Sequence, residues 1–318
     1  MEPSTRKPET AALLRIYTTY LWRHGQLPNL ANPTRFTEMV QLRKLHDRDP
    51  RMPIMADKLA VKAIVAERLG RDWVVPMLWS GETLSTKFRF NRPVVVKSRH
   101  GCNQTIVISG DEDWLRAHRR TRRWIVKPYG QWLDEWLYLN IPRGLLIEPF
   151  IGVKQELPVD YKFFVFHGRA THVQAHINRA SRHRWVVHDL DWRPFANNAP
   201  LIERPSGLAA MIAAAEELAK GFTFARVDFY QPGEQPLFGE MTFYPGSGLH
   251  PIDPPELDVE MGNLWLNAAS SRARYRDSEV ALVASAPEDA WRVDHQADGY
   301  CRPAKSARAF EKSGVGTD

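Results

Sequence analysis

The residues best spaced to act together are Asp228 and Glu240. Residues 224–230 (Phe-Ala-Arg-Val-Asp-Phe-Tyr) and the run from Leu237 to Tyr244 flank a Gln-Pro-Gly-Glu-Gln-Pro turn, which predicts a β-hairpin. Side chains alternate faces along a strand, so Arg226, Asp228 and Tyr230 share one face of the first strand. Phe238, Glu240, Thr242 and Tyr244 share one face of the second. A register pairing Asp228 with Glu240 sets two carboxylates side by side, with Arg226 and Thr242 next to them. Like charges directly opposite destabilise a sheet. A bound cation relieves that repulsion, and hard oxygen donors at this spacing suit Mg²⁺. A solvated hairpin with alternating acids has the same spacing, so the hairpin alone leaves both readings open.

Other charged residues sit where charge is costly. Pro93-Val-Val-Val-Lys97 is an apolar strand ending in a lysine, followed by a polar loop, residues 98–105, and a return strand over 106–109. A lysine and backbone N–H groups arranged this way can cradle phosphates. Glu148 is embedded in a second apolar run, residues 143–151, where a carboxylate needs a partner. Asp160 and Lys162 share a face of a hairpin turning at His167-Gly168; their plain alternative is a surface ion pair worth under about 1 kcal/mol. Lys58 and Lys62 lie on one face of a helix expected over 53–69, a spacing that is ordinarily just solvated.

The elements that must position these residues follow from periodicity. Helices are expected over 10–25, 36–46 and 53–69, the last stopped by Gly70. A short strand with a proline break covers 73–79, a solvated helix 113–123, and a strand 184–192. Ser206 is expected to cap a helix whose Leu208, Met211, Ile212, Ala215 and Leu218 form one apolar stripe, with Gly221 beyond its end. After Leu264 the pattern decays, and residues 304–318 read as a disordered tail.

Composition narrows the class. The chain has 318 residues, 43% hydrophobic and 25% charged, ample for a globular core. The net charge of +6 is spread out. Its basic clusters, residues 116–123 and 179–184, suit a solvated helix face or an anionic substrate, so nucleic acid is not the expected partner. Two cysteines, Cys102 and Cys301, support neither a disulfide framework nor a zinc site. No apolar run reaches the ~20 residues of a membrane span, no signal core opens the sequence, and the protein reads as cytoplasmic. Trp132, Trp136, Trp185 and Trp192 could stack on sugars, although packing is the commoner role of such residues; His172 and His176 share a strand face and could be ligands or bases, with a structural role the commoner one. Arg179, Arg182 and Arg184 are the candidates for contacting an anionic substrate.

The order of these signals resembles the ATP-grasp superfamily, to which D-alanine–D-alanine ligases belong. The series is Asp57-Lys58-x-x-x-Lys62, then Pro93–Lys97 with its loop, Ile147-Glu148-Pro-Phe-Ile151, Asp160-Tyr-Lys162, Arg226-Val-Asp228, and Glu240-x-Thr242-x-x-Pro245-Gly246. Within the superfamily the sequence is similar to the teichuronopeptide-biosynthesis (TupA-like) branch. That likeness rests on Phe36-Thr-Glu-Met-Val-Gln, Asp49-Pro-Arg-Met, Ala56-Asp-Lys-Leu-Ala-Val, Asp160-Tyr-Lys-Phe-Phe-Val-Phe-His-Gly and Phe238-Gly-Glu-Met-Thr-Phe-Tyr-Pro-Gly-Ser-Gly.

The resemblance implies an α+β ATP-grasp fold with a nucleotide held between two α+β subdomains. These would be residues 93–148, with the phosphate flap, and 149–265, with the Mg²⁺ site. A mainly helical region, 1–92, would precede them, and a partly disordered extension, 266–318, would follow. Lys62 and Lys97 match the phosphate-binding lysines, and the flap brings His100 and Gly101 to the phosphates. Glu148, Pro149, Phe150 and Ile151 match the adenine hinge, and Asp160 a ribose contact. Asp228 and Glu240 match metal-binding carboxylates for one or two Mg²⁺, with Thr242 where the family usually has asparagine. Arg226 aligns with an arginine that stabilises transferred phosphoryl charge. Lys162 and Arg179 lie where related ligases place cations near the γ-phosphate.

The implied reaction is an ATP- and Mg²⁺-dependent carboxylate–amine ligation through an acyl phosphate. The substrates would be a small-molecule or glycan carboxylate and an amino-acid amine, in cell-surface polysaccharide or peptide-glycan biosynthesis; no oligomeric state is implied. The alternatives are a kinase acting on a sugar hydroxyl, and a polysaccharide-synthesis glycosyltransferase or non-catalytic binding module.

Overall fold

The computed structural model describes residues 10–152, 156–179, 182–196 and 199–266. Most of the extension expected over 266–318, with its tail and Cys301, lies outside the described residues.

Two antiparallel sheets carry the site. The smaller has the strand order β1-β4-β2-β3, from β1 (Trp79–Gly81), β2 (Val94–Ser98), β3 (Thr105–Ile108) and β4 (Leu145–Pro149). Val94, Val95 and Val96 are all buried because both faces of β2 are covered. Val94, Val96, Ile108, Leu145 and Ile147 pack with Trp114, Ala117 and Trp124 of helix α5 (Asp111–Val126). Those α5 residues recur at helical spacing, while its arginines point outward. Strand alternation leaves Val95, Lys97, Leu146 and Glu148 on the opposite face.

The larger sheet has the order β7-β6-β5-β8-β9. Its strands are β5 (Asp160–Phe166), β6 (Arg169–Ile177), β7 (Arg184–His188), β8 (Phe224–Tyr230) and β9 (Leu237–Thr242). Helix α7 (Leu208–Leu218), the next in the chain after the single turn of α6 (Trp136–Leu139), covers one face. The other face changes character along β5 and β8. Asp160, Lys162, Arg226 and Asp228 lie at one end; Phe164, Phe166 and Phe224 lie at the other, under Phe36 and Trp265. Phe36 opens helix α2 (Phe36–His46), and Trp265 belongs to helix α8 (Pro255–Leu266). Helix α1 (Thr10–His24) joins them through the Tyr20 hydroxyl, 2.9 Å from Thr37 Oγ1.

Several local expectations are revised. The helix expected over 53–69 is two, α3 (Arg51–Ala56) and α4 (Val61–Arg68), broken at Asp57, whose side chain accepts from the backbone N–H of Leu59. The stretch over 73–79 is irregular up to β1, which pairs with β4. The strand over 184–192 ends at His188, and Trp192 adopts φ 72°. Gly207, not Ser206, precedes α7; the Ser206 hydroxyl instead accepts from Gln231 Nε2. In the opening hairpin the register pairs Asp228 with Glu240 and Arg226 with Thr242, as read from the sequence. Beyond it the ladder shifts so that Phe238 pairs with Phe229, leaving Gly239 as the extra residue. Phe238 therefore turns away from Glu240 and packs edge-on against Phe229 in the core.

The turn after β9 is fixed from α2. Gly246, Ser247 and Gly248 have φ of 53°, 58° and 64°. The carbonyl of Ser247 accepts from Gln41 Nε2 at 2.9 Å and Lys44 Nζ at 2.7 Å. A Cβ on Gly248 would lie 2.8 Å from the Thr37 carbonyl oxygen, in addition to the left-handed backbone. Gly248→Ala should destabilise the protein by about 1–3 kcal/mol, measured as a lowered midpoint in urea unfolding with an unchanged slope.

Candidate functional site

The two sheets present two clusters of opposed charges. On the smaller sheet, Lys97 ends the apolar part of β2 and Glu148 lies on the adjacent β4. Lys62 reaches them from α4. Its ammonium lies 2.5 Å from Glu148 Oε1 and donates to the Val75 carbonyl at 2.7 Å, while Lys97 Nζ lies 2.6 Å from Glu148 Oε2. Burial pushes the Glu148 carboxyl up, but Lys97 and Lys62 outweigh it and hold the group at about 2. Burial moves Lys62 in the opposite sense for a cation, downward, against the pull of Glu148. Glu148 is thus a side chain that bridges two lysines. Pro149 completes β4, and Phe150 N–H donates to the Pro93 carbonyl; both are partly buried, as is Ile151.

On the larger sheet, Asp228 is the centre. Arg226, two residues back on the same face, grips it with a fork: Nε donates to Oδ1 and Nη2 to Oδ2, both at 2.7 Å. Lys162, its partner across the ladder, sets Nζ 2.5 Å from Asp228 Oδ2 and 2.6 Å from Asp160 Oδ2. Arg179 Nη1 reaches the same Asp160 oxygen at 2.9 Å. Burial would lower Lys162, yet Asp160 and Asp228 raise it, so it stays charged. Arg226 is likewise raised by Asp228 and then Glu240 against burial.

Glu240 stands beside Asp228 with its side chain 26% exposed. Its Oε2 lies 3.3 Å from Lys58 Nζ and its Oε1 3.7 Å from Arg226 Nη2. Burial raises its carboxyl, but Lys58, ahead of Lys162 and Arg226, draws it below the ordinary value. Thr242 Oγ1 accepts from Arg226 Nη2 at 3.2 Å. The candidate metal donors Asp228, Glu240 and Thr242 are therefore adjacent, and all offer hard oxygen. Among the described residues no group of three or more His, Cys, Asp or Glu could hold a metal ion by itself. Hard oxygen donors of this kind suit Mg²⁺, which proteins ordinarily bind through one or two carboxylates.

Two buried polar atoms facing this cluster have no partner: Asp160 Oδ1 and His176 Nε2, on directly paired positions of β5 and β6. Such atoms are costly to leave unpaired, and a hydroxyl-bearing group would satisfy them.

The expectation for His100 is revised. Its ring is buried, with Nε2 3.0 Å from the Trp124 carbonyl and Nδ1 accepting from Gly144 N–H at 3.4 Å, so both nitrogens engage backbone and neither faces the lysines. Gly101 is also buried; its carbonyl accepts from Lys58 Nζ at 2.8 Å. Arg99 is bound to Asp57, with Nη2 2.6 Å from Oδ2. Lys58 and Asp57 were therefore missed as members of the site. Their adjacency to Lys62 in one motif was the available signal, obscured by reading 53–69 as one helix. The tryptophans divide: Trp132 is exposed, Trp136 lies under the Arg48 guanidinium, and Trp192 stacks on His188 while donating to the Ile202 carbonyl.

The family profile described as TupA-like ATPgrasp matches residues 38–266, well over half of the chain. The chain belongs to the TupA-like ATP-grasp family. The two α+β units, each built on an antiparallel sheet, are its ATP-grasp architecture. No curated protein matches the chain. Among solved structures, it is similar to the D-alanine–D-alanine ligase of Bacillus anthracis complexed with ATP, with 14% identity, TM-score 0.44, and coverage of 69% of this chain and 67% of that one. The corresponding ligase of Helicobacter pylori gives 14%, 0.42, 73% and 67%. The ATP-grasp ligase PsnB, complexed with a phosphomimetic minimal precursor, Mg and ADP, gives 10%, 0.39, 72% and 67%.

Glu148 provides a test of the lysine cluster. Its depressed pKa contributes stability that is present above the unfolded value near 4.5 and is lost as pH falls towards about 2. Unfolding free energy should decline by roughly 3 kcal/mol more over pH 5 to 2 in the wild type than in Glu148→Gln. Paired urea titrations across that range measure it.

Proposed function

We propose that this protein is an ATP- and Mg²⁺-dependent carboxylate–amine ligase that works through an acyl phosphate. Its setting would be cell-surface polysaccharide or peptide-glycan biosynthesis. The observation that carries the reading is the pair of cation-rich clusters, Lys62 of α4 with Lys97 of the smaller sheet, and Arg226 and Lys162 on the larger, with Asp228 and Glu240 between the latter and Lys58. Family membership supplies the nucleotide class.

In this reading Lys62 and Lys97 exchange Glu148 for phosphate oxygens, a swap of one anionic partner for another. Asp160, through its unpartnered Oδ1, accepts from a ribose hydroxyl. Asp228 and Glu240 would hold Mg²⁺, which would supply charge neutralisation of the phosphates. Arg226 and Lys162 are already fixed by Asp228, so they meet developing phosphoryl charge without reorganising. A substrate carboxylate oxygen attacks the γ-phosphorus as the bond to ADP breaks. The amine then attacks the acyl carbon, inorganic phosphate leaves, and the amine gives up a proton. No protein nucleophile is needed. Positioning and charge neutralisation do the work.

Incubation with Mg²⁺-ATP, candidate sugar acids and amino acids should release inorganic phosphate in step with a new amide. Phosphate retained on the acceptor would instead identify a kinase, and failure to bind Mg²⁺-ATP analogues in calorimetry would remove the nucleotide reading altogether. Glu240→Gln should cut turnover by at least about 10²–10³-fold with near-native thermal stability; full activity would sink the metal assignment. Lys97→Ala should raise the dissociation constant for nucleotide, read by the same calorimetry.

A further inference from the structure

Helix α5 separates its charges. Asp111, Glu112 and Asp113 form its first turn, and Arg116 pairs back with Asp113. From Ala117 to Arg143 the chain then has six lysines and arginines against two acids, Asp134 and Glu135. Neither acid offsets them at the surface: Glu135 is buried, and Asp134 accepts from Arg15 Nε of α1 at 3.1 Å. Exposed apolar side chains stand among these cations. We propose that the outward faces of α5 and α1, with the segment 126–143 that joins them, form a docking surface for an anionic lipid bilayer.

The outward face of α5 is set by what its inner face packs. Trp114, Ala117 and Trp124 lie in the core of the smaller sheet, which turns Leu115, Arg119, Arg122 and Val126 to the opposite side, where all four are exposed. Arg143 ties the end of the segment to this helix, its Nη1 donating to the Ile125 and Val126 carbonyls at 2.9 and 3.0 Å. Between them in the chain lies Trp132, 66% exposed. Two residues on, the Arg15–Asp134 pair brings in α1. There Ile16 and Tyr20 face the core, while Leu14, Leu21 and Trp22 point outward, Trp22 being 77% exposed. Arg23 sets its guanidinium 5.3 Å from the centre of the Trp22 ring and is held by the Leu249 carbonyl, which accepts from Nε at 3.1 Å. From Thr10 to Thr37 the sequence has no Asp or Glu.

Singly, such apolar side chains are ordinary surface; grouped on joined elements among cations, they mark a contact. Their chemistry selects the partner. Tryptophans suit a boundary between apolar and wet, with leucine and valine beside them reaching the acyl edge. Arginine stems can lie along that edge while their heads meet anionic headgroups, and the scarcity of acids removes the opposing repulsion. Nucleic acid would use the cations but gain nothing from Leu14, Leu115 or Val126, which cannot stack on bases as aromatic rings do. Among the described residues no helix is long and apolar enough to cross a membrane, so the contact is with the headgroup layer. None of these residues belongs to the nucleotide site, and the surface stands or falls independently of the ligase reading.

Co-sedimentation of the full chain with vesicles tests the surface, using phosphatidylcholine alone and an equal mixture of phosphatidylcholine and phosphatidylglycerol. The wild type should bind the mixed vesicles at least about tenfold more tightly than the neutral ones. Salt at about 1 M, where the screening length shrinks to ~3 Å, should release it. Arg119→Glu combined with Arg122→Glu should lower the partition constant about tenfold or more. Trp22→Ser and Trp132→Ser should each lower it several-fold, with thermal midpoints near that of the wild type because both rings are exposed. Binding that is absent, equal on the two kinds of vesicle, or unchanged when both tryptophans are replaced would overturn the proposal. So would a wild-type dimer that Trp22→Ser dissociates, or a single-stranded oligonucleotide that binds more tightly than the mixed vesicles, since either assigns this face to another partner.

Discussion

The carboxylate of Asp228 is the constraint on which the site depends. It is 1% exposed, and a buried charge survives only when paired and hydrogen-bonded. Arg226 and Lys162 meet that demand from one strand and its neighbour, and in doing so lose their freedom. Arg226 Nη2, which donates to Asp228, also donates to Thr242, and Lys162 has a donor left for Asp160, which in turn holds Arg179. One acid thereby orders a row of cations on two strands and just beyond the end of a third. The aromatic half of the same face explains how a fold can tolerate this. Phe164, Phe166, Phe224, Phe36 and Trp265 pack where the charges stop, so strand pairing is secured beside the polar cluster rather than through it.

The balance of charge points to what the site receives. Around Asp228, four cations (Lys58, Lys162, Arg179 and Arg226) face three carboxylates (Asp160, Asp228 and Glu240). Around Glu148, two lysines face one carboxylate. Each cluster is internally satisfied enough to be stable without a ligand, and each keeps a surplus of positive charge. A polyanion entering between them loses its hydration shell but gains fixed cations in a partly buried setting, where charge interactions are stronger than in water. Glu148 bridges Lys62 and Lys97 meanwhile, and in the proposed reading it would give both up to phosphate oxygens.

The hairpin was legible because its turn is rich in proline and glycine and its flanking runs alternate: period two put Asp228 and Glu240 among the residues of their faces, and the structure supplies the register that sets them opposite each other. What escaped was any feature set by a single inserted residue or by distant backbone. The bulge at Gly239 reverses the face of Phe238, and nothing in the pattern marks it beyond a glycine in a strand. His100 follows a lysine-tipped strand and looks suited to phosphate, yet the Trp124 carbonyl at the end of α5 turns it inward. Glu148 was legible as a carboxylate needing a partner, but its two lysines come from separate elements whose meeting is a tertiary fact. The family itself was legible only from the order of many blocks, since each alone is commonplace.

Thr242 shows how a departure from the family's pattern can be absorbed. An asparagine there would offer an amide oxygen to a cation, but also an NH₂ that would face the Arg226 guanidinium. The threonine hydroxyl accepts from Arg226 Nη2 and keeps a second lone pair, so it can stabilise the arginine and still lie beside Glu240. With Glu240 Oε2 held by Lys58 and both Asp228 oxygens held by Arg226 and Lys162, little protein oxygen is left uncommitted for a bare ion. Phosphate oxygens would make up the coordination that the side chains do not. In the proposed ligase reading, the arrangement would favour a cation that enters together with the nucleotide over one bound beforehand.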